Sequence, residues 1–174
     1  MLSEKVEKAL NAQINAEFWS AYLYLSMSAD AMQKGYKGIA NWFSIQFQEE
    51  QAHAQIFVNY VLSRGGKVTL APIAAVKTEW VSSLEMFQDT LVHEKEVTAM
   101  INNLAAIAAE DKDYASSNML VWFVDEQVEE EESAREMITA CEAVEGNKFG
   151  LYMLDKELAA RTYTQASPLA TANA

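Results

Sequence analysis

Hydrophobic residues recur every three or four positions along four long stretches of this chain, and breaker residues separate the stretches. This spacing is the period of an amphipathic α-helix. Glycine and proline, which interrupt helices, number only 6 and 2 among 174 residues. The pattern therefore predicts four long helices and one short helix, over residues 3–34, 38–64, 82–109, 114–144 and 148–160.

Local signals mark the ends of the predicted helices. Ser3 is a suitable N-cap for the first helix. Ser82 and Glu85 form a capping box at the third, and Val81 with Met86 predicts the hydrophobic staple that often accompanies such a box. Glycines follow three of the predicted C-termini, at Gly35, at Gly65-Gly66 and at Gly146.

The connections between the helices indicate the fold class. Residues 67–80 contain Pro72 and have no helical period, so we interpret them as a crossover loop, whereas the first and third connections are short. Four helices with one long crossover are typical of the ferritin-like class of bundles, although other bundles share this wiring. We predict an all-α four-helix bundle with a short fifth C-terminal helix, forming one domain over residues 1–160. A polar tail, residues 161–174, is predicted to be disordered.

Each long helix carries one glutamate near the middle of its apolar face. These residues are Glu17, Glu50, Glu94 and Glu130. An ionised carboxylate in an apolar interior is destabilising unless it is paired, and four at one level of a bundle would also repel one another. His53 is the only candidate cation on these faces. Two Fe(II) ions carry four positive charges, which match the four carboxylates in formal count.

The spacing Glu50-x-x-His53 places a carboxylate and an imidazole on one helix face, as di-iron carboxylate proteins require. Fe(II) suits this mixture of oxygen and imidazole ligands. We expect Glu50 to bridge two iron ions. Glu17 and His53 would complete the coordination of the first ion, and Glu94 and Glu130 would complete that of the second. The competing interpretation is that each helix is rotated so that its glutamate faces water, which explains one such glutamate better than four at matched heights.

Composition narrows the function further. Acidic residues outnumber basic ones 25 to 13, giving a net charge of −12, which argues against nucleic-acid binding and fits attraction of cations. The single cysteine, Cys141, excludes a disulfide framework or a thiolate zinc cage, and we interpret it as a small core residue. The N-terminus is charged and no stretch approaches the length of a membrane span, so we expect a cytoplasmic protein that binds no membrane.

Five segments resemble the bacterial non-haem ferritins, and the resemblance extends from Leu2 to about Leu158. The segments are NAEFWSAYLYLSMSA, FQEEQAHAQIFVNYV, HEKEVTAMINNLA, LVWFVDEQVEEEE and GLYMLDKEL. The resemblance implies a hollow shell of twenty-four subunits around a mineral core. It also implies a ferroxidase centre formed by Glu17, Glu50, His53, Glu94 and Glu130, with Gln127 close by.

The resemblance further implies a third iron site, with ligands Glu49, Glu126, Glu129 and Glu130. The alternative for Glu129, and still more for Glu131 and Glu132, is a solvated acidic surface. Tyr24 matches a tyrosine near the centre, where it would donate an electron or a hydrogen bond, or would serve only as a core aromatic. Trp122 also matches, and we interpret it mainly as packing.

Three departures from related families are informative. Haem-binding bacterial ferritins ligate haem through a methionine of the second helix, and none occurs between Gly38 and Arg64, so we expect no haem. Those proteins also repeat the E-x-x-H motif in the fourth helix, whereas Gln127 and Glu130 stand there in this chain, which predicts two unequal iron positions. One cysteine cannot build the rubredoxin segment of rubrerythrins. The second histidine, His93, is expected at the surface or an interface.

Three functional hypotheses follow. The first is a ferroxidase that oxidises Fe(II) with dioxygen or peroxide and stores the ferric product in a homo-oligomeric shell. The second is a di-iron peroxide-scavenging oxidase on the same bundle that stores nothing. The third is a structural helical protein without metal. Particle size separates the first from the second, and iron binding separates both from the third.

Overall fold

The computed structural model describes residues 2–170, in which six helices follow one another along the chain. They are α1 (Glu4–Gln33), α2 (Lys37–Ser63), α3 (Ser83–Glu110), α4 (Tyr114–Ala143), α5 (Lys148–Leu158) and α6 (Ser167–Ala170). The first five begin and end close to the predicted residues, which confirms the all-α bundle with one long crossover and a short fifth helix. None of the described helices is both long and apolar enough to cross a membrane.

The predicted N-caps are present, but the predicted staple is wrong. The Ser3 hydroxyl accepts a hydrogen bond from the Val6 amide, and the Ser82 hydroxyl accepts one from the Glu85 amide, both at 3.1 Å. Val81, however, is 93% exposed and cannot pack on Met86. The reason is that Trp80, one residue earlier, fills the buried place beside α3 and is only 3% exposed.

The crossover between α2 and α3 runs along α1 from its beginning to its end. The side chain of Asn11 accepts a hydrogen bond from the Thr69 amide at 2.6 Å, and that of Ser26 donates one to the Lys77 carbonyl at 2.8 Å. Lys34, at the end of α1, donates to the Trp80 carbonyl. The crossover therefore returns the chain to the end of the bundle where α1 finishes, so that α3 runs antiparallel to α1.

Two apolar clusters fill the bundle, one towards each end. One contains Tyr24, Phe43 and Phe87, and the other contains Leu10, Ile14, Phe57, Ile101 and Phe123. Glu17 on α1 lies between Ile14 and Tyr24 along the chain, and Glu50 on α2 lies between Phe43 and Phe57. Buried polar residues therefore form a layer between two apolar cores.

Helix α5 packs against the beginning of α2. The Asp155 carboxylate accepts hydrogen bonds from the Gly38 and Ile39 amides at 2.8 and 2.9 Å, and so caps α2. These amides need an outside partner because Tyr36, the N-cap residue, makes no side-chain cap. A Cβ at position 38 would overlap the Asp155 backbone carbonyl, so only glycine permits this approach.

The predicted disordered tail differs from the structure over its first ten residues. Arg161 contacts α2, and Ala166 and Leu169 pack against the second apolar cluster. Residues 171–174, the end of that predicted tail, lie outside the described residues. Cys141 is buried, with 6% of its surface exposed, as predicted for a core residue.

Candidate metal centre

The four glutamates predicted to face inward are all buried in the polar layer. Glu17 and Glu50 are 1% and 2% exposed, and Glu94 and Glu130 are 0% and 7% exposed. Each comes from a different long helix, so the assigned rotations of the helices were correct. Surface exposure, the competing interpretation, is excluded for all four.

His53 lies between two groups of carboxylates. Candidate ligand atoms of Glu17, Glu50 and His53 lie within 4.8 Å of one another, and so do those of His53, Glu126 and Glu130. Its Nδ1 is 3.6 Å from Glu50 Oε2, and its Nε2 is 3.7 Å from Glu126 Oε1. These separations suit ligands around a cation better than direct hydrogen bonds, which are shorter.

Helix α3 contributes Glu94, whose two carboxylate oxygens are fixed by neutral donors. The Tyr24 hydroxyl donates a hydrogen bond to Oε1, and the Gln127 amide donates to Oε2 at 3.2 Å. Gln127 also donates to the Glu94 backbone carbonyl at 3.2 Å. Tyr24 and Gln127 therefore lie beside the centre, as expected. Trp122 packs on His53, with 5.5 Å between the ring centroids, in agreement with its interpretation as packing.

The electrostatics of the centre show a deficit of positive charge. Burial raises the pKa of Glu50 well above its usual value, and the His53 interaction only partly offsets this. Burial, followed by repulsion from Glu94, raises the pKa of Glu130 to about 8. Burial also raises the pKa of Glu94. In the absence of cations burial favours the protonated form of these carboxyls, and the pKa of Glu130, about 8, keeps that carboxyl protonated at pH 7.

The pKa of His53 is raised, whereas burial ordinarily lowers the pKa of a histidine. Desolvation alone would lower its pKa, but the nearby carboxylates of Glu126 and Glu50 raise the pKa well above 6.5. Even when protonated, His53 supplies one positive charge, which is too little for four buried carboxylates. Glu50 Oε2 and Gln46 Oε1 are buried acceptors without a hydrogen-bond partner among the described residues. Oxygen acceptors left open beside an imidazole are the ligands that Fe(II) takes in carboxylate sites.

Two glutamines at the centre were missed by the sequence analysis. Gln13 is 4% exposed and donates to Glu17 Oε1 at 2.8 Å, and Gln46 is 1% exposed and donates to Glu130 Oε2 at 2.8 Å. Each lies four residues before a predicted ligand, Glu17 or Glu50, and so shares its helix face. A search of the same faces for amides would have found both.

His93 is buried, so the prediction of a surface or interface position was wrong. It is 7% exposed, its Nε2 lies 2.8 Å from the Ser20 hydroxyl, and its ring lies 5.1 Å from that of Trp19. Burial lowers its pKa to about 4, so it is neutral at pH 7. The angular offset from Glu94 was correct, but on α3 that direction faces α1 and not solvent.

The predicted third site is only partly assembled in the structure. Glu126 belongs to the group around His53 and Glu130. Glu49 lies close enough to Glu126 and His53 for their charges to act on its carboxyl, although burial is the main cause of its raised pKa. Glu129 is exposed and belongs to neither group among the described residues. Its assignment to this site stays a prediction.

A family model and the sequence relatives both indicate the ferritin family. A family model described as a ferritin-like domain matches residues 7–144. The bacterial non-heme ferritin of Staphylococcus aureus (strain USA300) is 41% identical over 165 residues, which cover 95% of this chain and 99% of the relative. The corresponding protein of Staphylococcus epidermidis is 39% identical with the same coverage.

Solved structures agree with the sequence relatives. An open pore ferritin from the hyperthermophilic archaeon Archaeoglobus fulgidus superposes with a TM-score of 0.92 at 44% identity. The match covers 93% of this chain and 100% of that chain. An engineered closed form of the A. fulgidus ferritin superposes with a TM-score of 0.93 at 43% identity, covering 94% of this chain and all of the other.

Proposed function

This chain belongs to the ferritin family, and on that premise we propose that it oxidises Fe(II) at the buried carboxylate centre and stores the ferric product. The observation that carries the proposal is the burial of four glutamates, one from each long helix, beside a single histidine. Such a set is costly without cations. Two divalent ions would neutralise it and would use the open acceptor of Glu50.

We propose that Glu17, Glu50 and His53 bind one iron, and that Glu50, Glu94 and Glu130 bind the other. The first trio is supported by the mutual distances of its ligand atoms. The second position has two carboxylates held by neutral amides and has no histidine of its own, so the two positions are unequal. Gln127 and Tyr24 orient the Glu94 carboxylate through hydrogen bonds, and because both donors are neutral they do not neutralise its charge.

The reaction removes one electron from each Fe(II). Dioxygen accepts both electrons with two protons and gives hydrogen peroxide, or peroxide accepts them with two protons and gives two waters. Carboxylates promote this oxidation because they bind the more highly charged ferric ion more tightly than Fe(II). The protons that leave the carboxyls when iron binds are available at the centre for the reduced oxidant.

The ferric product then leaves through an outer position formed by Glu49, Glu126, Glu129 and Glu130, the third iron site of the proposal. We further propose that twenty-four copies form a hollow shell in the cytoplasm that stores the mineral, without haem. The curated relatives are ferritins of nearly the same length, which supports the storage role.

The test is iron binding and oxidation by the purified protein after removal of metal. Anaerobic titration should show about two tightly bound Fe(II) per chain, and air should then produce ferric absorbance. Glu50→Ala and Glu130→Ala should each lower the initial rate of oxidation at least tenfold. A tenfold loss corresponds to a rise of roughly 1.4 kcal/mol in the activation free energy. Glu132→Ala, an exposed change in the same acidic run of α4, is the matched control and should oxidise iron normally.

Two outcomes would refute the proposal. Unchanged oxidation by both ligand variants would show that the centre is wrongly assigned. A small particle on size exclusion that oxidises iron without retaining it would favour the peroxide-scavenging alternative over storage.

A further inference from the structure

Arg161, the third residue after α5, forms an ion pair with a carboxylate of the outer position. Its Nη2 donates a hydrogen bond to Glu49 Oε2 at 2.8 Å. Its Nη1 donates to the Trp42 carbonyl at 3.1 Å, and the guanidinium lies over the Trp42 ring, 4.9 Å from the centroid. Three contacts therefore hold the side chain against α2.

The backbone at this point is also fixed. Asn41 donates its amide to the carbonyls of Leu158 and Arg161 at 3.1 and 3.0 Å. Three residues before Leu158 on α5, the Asp155 carboxylate accepts hydrogen bonds from the Gly38 and Ile39 amides and so holds α5 against α2. The packing of α5 on α2 therefore places Arg161 beside Glu49.

Glu49 connects Arg161 to the candidate metal centre. It precedes Glu50 in α2, its side chain is 22% exposed, and its carboxyl interacts electrostatically with His53 and Glu126. Glu130 in turn experiences the charge of Glu49. An arginine on Glu49 therefore places a fixed positive charge at the outer edge of the carboxylate cluster.

We propose that Arg161 competes with metal for Glu49 and so makes the outer position the weakest of the metal positions. This inference rests on the proposed function, because it requires a metal centre at Glu50 and His53. A metal ion that binds Glu49 must displace or weaken the charge-assisted hydrogen bond at Oε2, which is among the stronger kinds. The metal must also approach a guanidinium that stays charged at any ordinary pH.

The consequence is a short residence of iron at the outer position. Oxidised ions leaving the inner pair meet a position that accepts them briefly, because Glu49 returns to Arg161. The Trp42 carbonyl and ring keep Arg161 beside the site when Glu49 is on the metal. Arg161 is thus a positioning residue that acts through Glu49 and touches no iron.

The experiment is an anaerobic calorimetric titration of the metal-free, assembled protein with Fe(II), repeated with redox-inert Zn(II). The parent should bind two ions tightly and a third weakly. Arg161→Gln should tighten the third position at least tenfold and leave the first two unchanged. Arg161→Lys keeps a positive charge beside Glu49 and should keep the third position weak. Glu49→Gln should abolish the third position in both the parent and the Arg161→Gln backgrounds.

Arg135→Gln is the matched control. It removes one arginine charge and one ion pair, to Glu131 at 3.0 Å, from the exposed side of α4, and it should leave all three affinities as in the parent. Arg161→Met, which keeps an aliphatic side chain over Trp42, should show the same tightening if the glutamine variant does not assemble. Circular dichroism and thermal unfolding without metal report folding separately.

The possible results are distinct. An equal third affinity in the parent and in both neutral Arg161 variants would overturn the inference. A parent that binds no ions tightly would instead overturn the proposed function. Tightening by Arg135→Gln to the same degree would show a general effect of net charge and would also overturn the specific role of Arg161.

Discussion

Replacing Glu130 by glutamine should stabilise the metal-free protein while weakening its metal binding. Burial and the charge of Glu94 raise the pKa of Glu130 to about 8 from an ordinary value of 4.5. A carboxyl with a raised pKa in the folded state contributes stability below pH 4.5, and that stability is lost as pH rises towards 8. Glutamine carries no charge, so the variant avoids the loss.

The magnitude follows from the two pKa values. Relative to low pH, ionisation of Glu130 lowers the stability by roughly 1 kcal/mol at pH 5.5 and by roughly 4 kcal/mol at pH 8. The advantage of Glu130→Gln should therefore grow by roughly 3 kcal/mol over this interval. At about 2–4 °C per kcal/mol for a chain of this size, the apparent Tm difference should widen by about 6 °C or more. The variant can still accept the hydrogen bond from Gln46.

The assay is thermal unfolding of protein freed of metal by a chelator, at pH 5.5 and at pH 8. Glu132→Gln, an exposed change on the same helix, is the control and should show no widening. Added Zn(II) should then raise the Tm of the parent more than that of Glu130→Gln. A Tm difference that stays constant between the two pH values would refute the charge-deficit account of the centre.

Three further predictions test other parts of the molecule. Tyr24→Phe removes the hydrogen bond to Glu94 and should slow Fe(II) oxidation several-fold in stopped-flow measurements, with the number of bound ions unchanged. Gly38→Ala would overlap the Asp155 carbonyl, and should lower stability by about 2 kcal/mol or more in unfolding experiments by displacing α5. Fe(II) binding at pH 7 should release protons, because the pKa of Glu130 is raised to about 8. Calorimetry in buffers of different ionisation enthalpy would measure that release, and buffer-independent heats would contradict it.

Residues whose environment follows from one helix could be predicted from the sequence. The proposed ligands, Glu17, Glu50, Glu94 and Glu130, stand on apolar faces with a clear helical period, and the glycines and caps define the helix ends. Predictions that needed knowledge of the neighbouring helix were less secure. The orientation of His93 relative to Glu94 was right, yet only the position of α1 decides that it is buried.

Contacts between distant segments could not be derived from a local pattern. Nothing near Arg161 in the sequence indicates that its guanidinium reaches Glu49, because the contact joins residues 112 positions apart. The prediction that Val81 packs on Met86 was wrong for a related reason. The end of the crossover, where the chain enters α3, buries Trp80 and leaves Val81 exposed. The tertiary path of the chain decided both positions.

The kind of donor that holds each carboxylate accounts for the order in which metal positions should fill. Inside the bundle, Glu17, Glu94 and Glu130 are held by amides and a phenol, which fix the carboxylates without neutralising them. A lysine or arginine there would satisfy the same oxygens and would compete with iron for them. At the outer edge, Glu49 does have such a partner in Arg161. Neutral donors inside and an arginine outside should therefore produce a gradient of affinity, in which the inner carboxylates, which have no lysine or arginine partner, bind iron more tightly than Glu49.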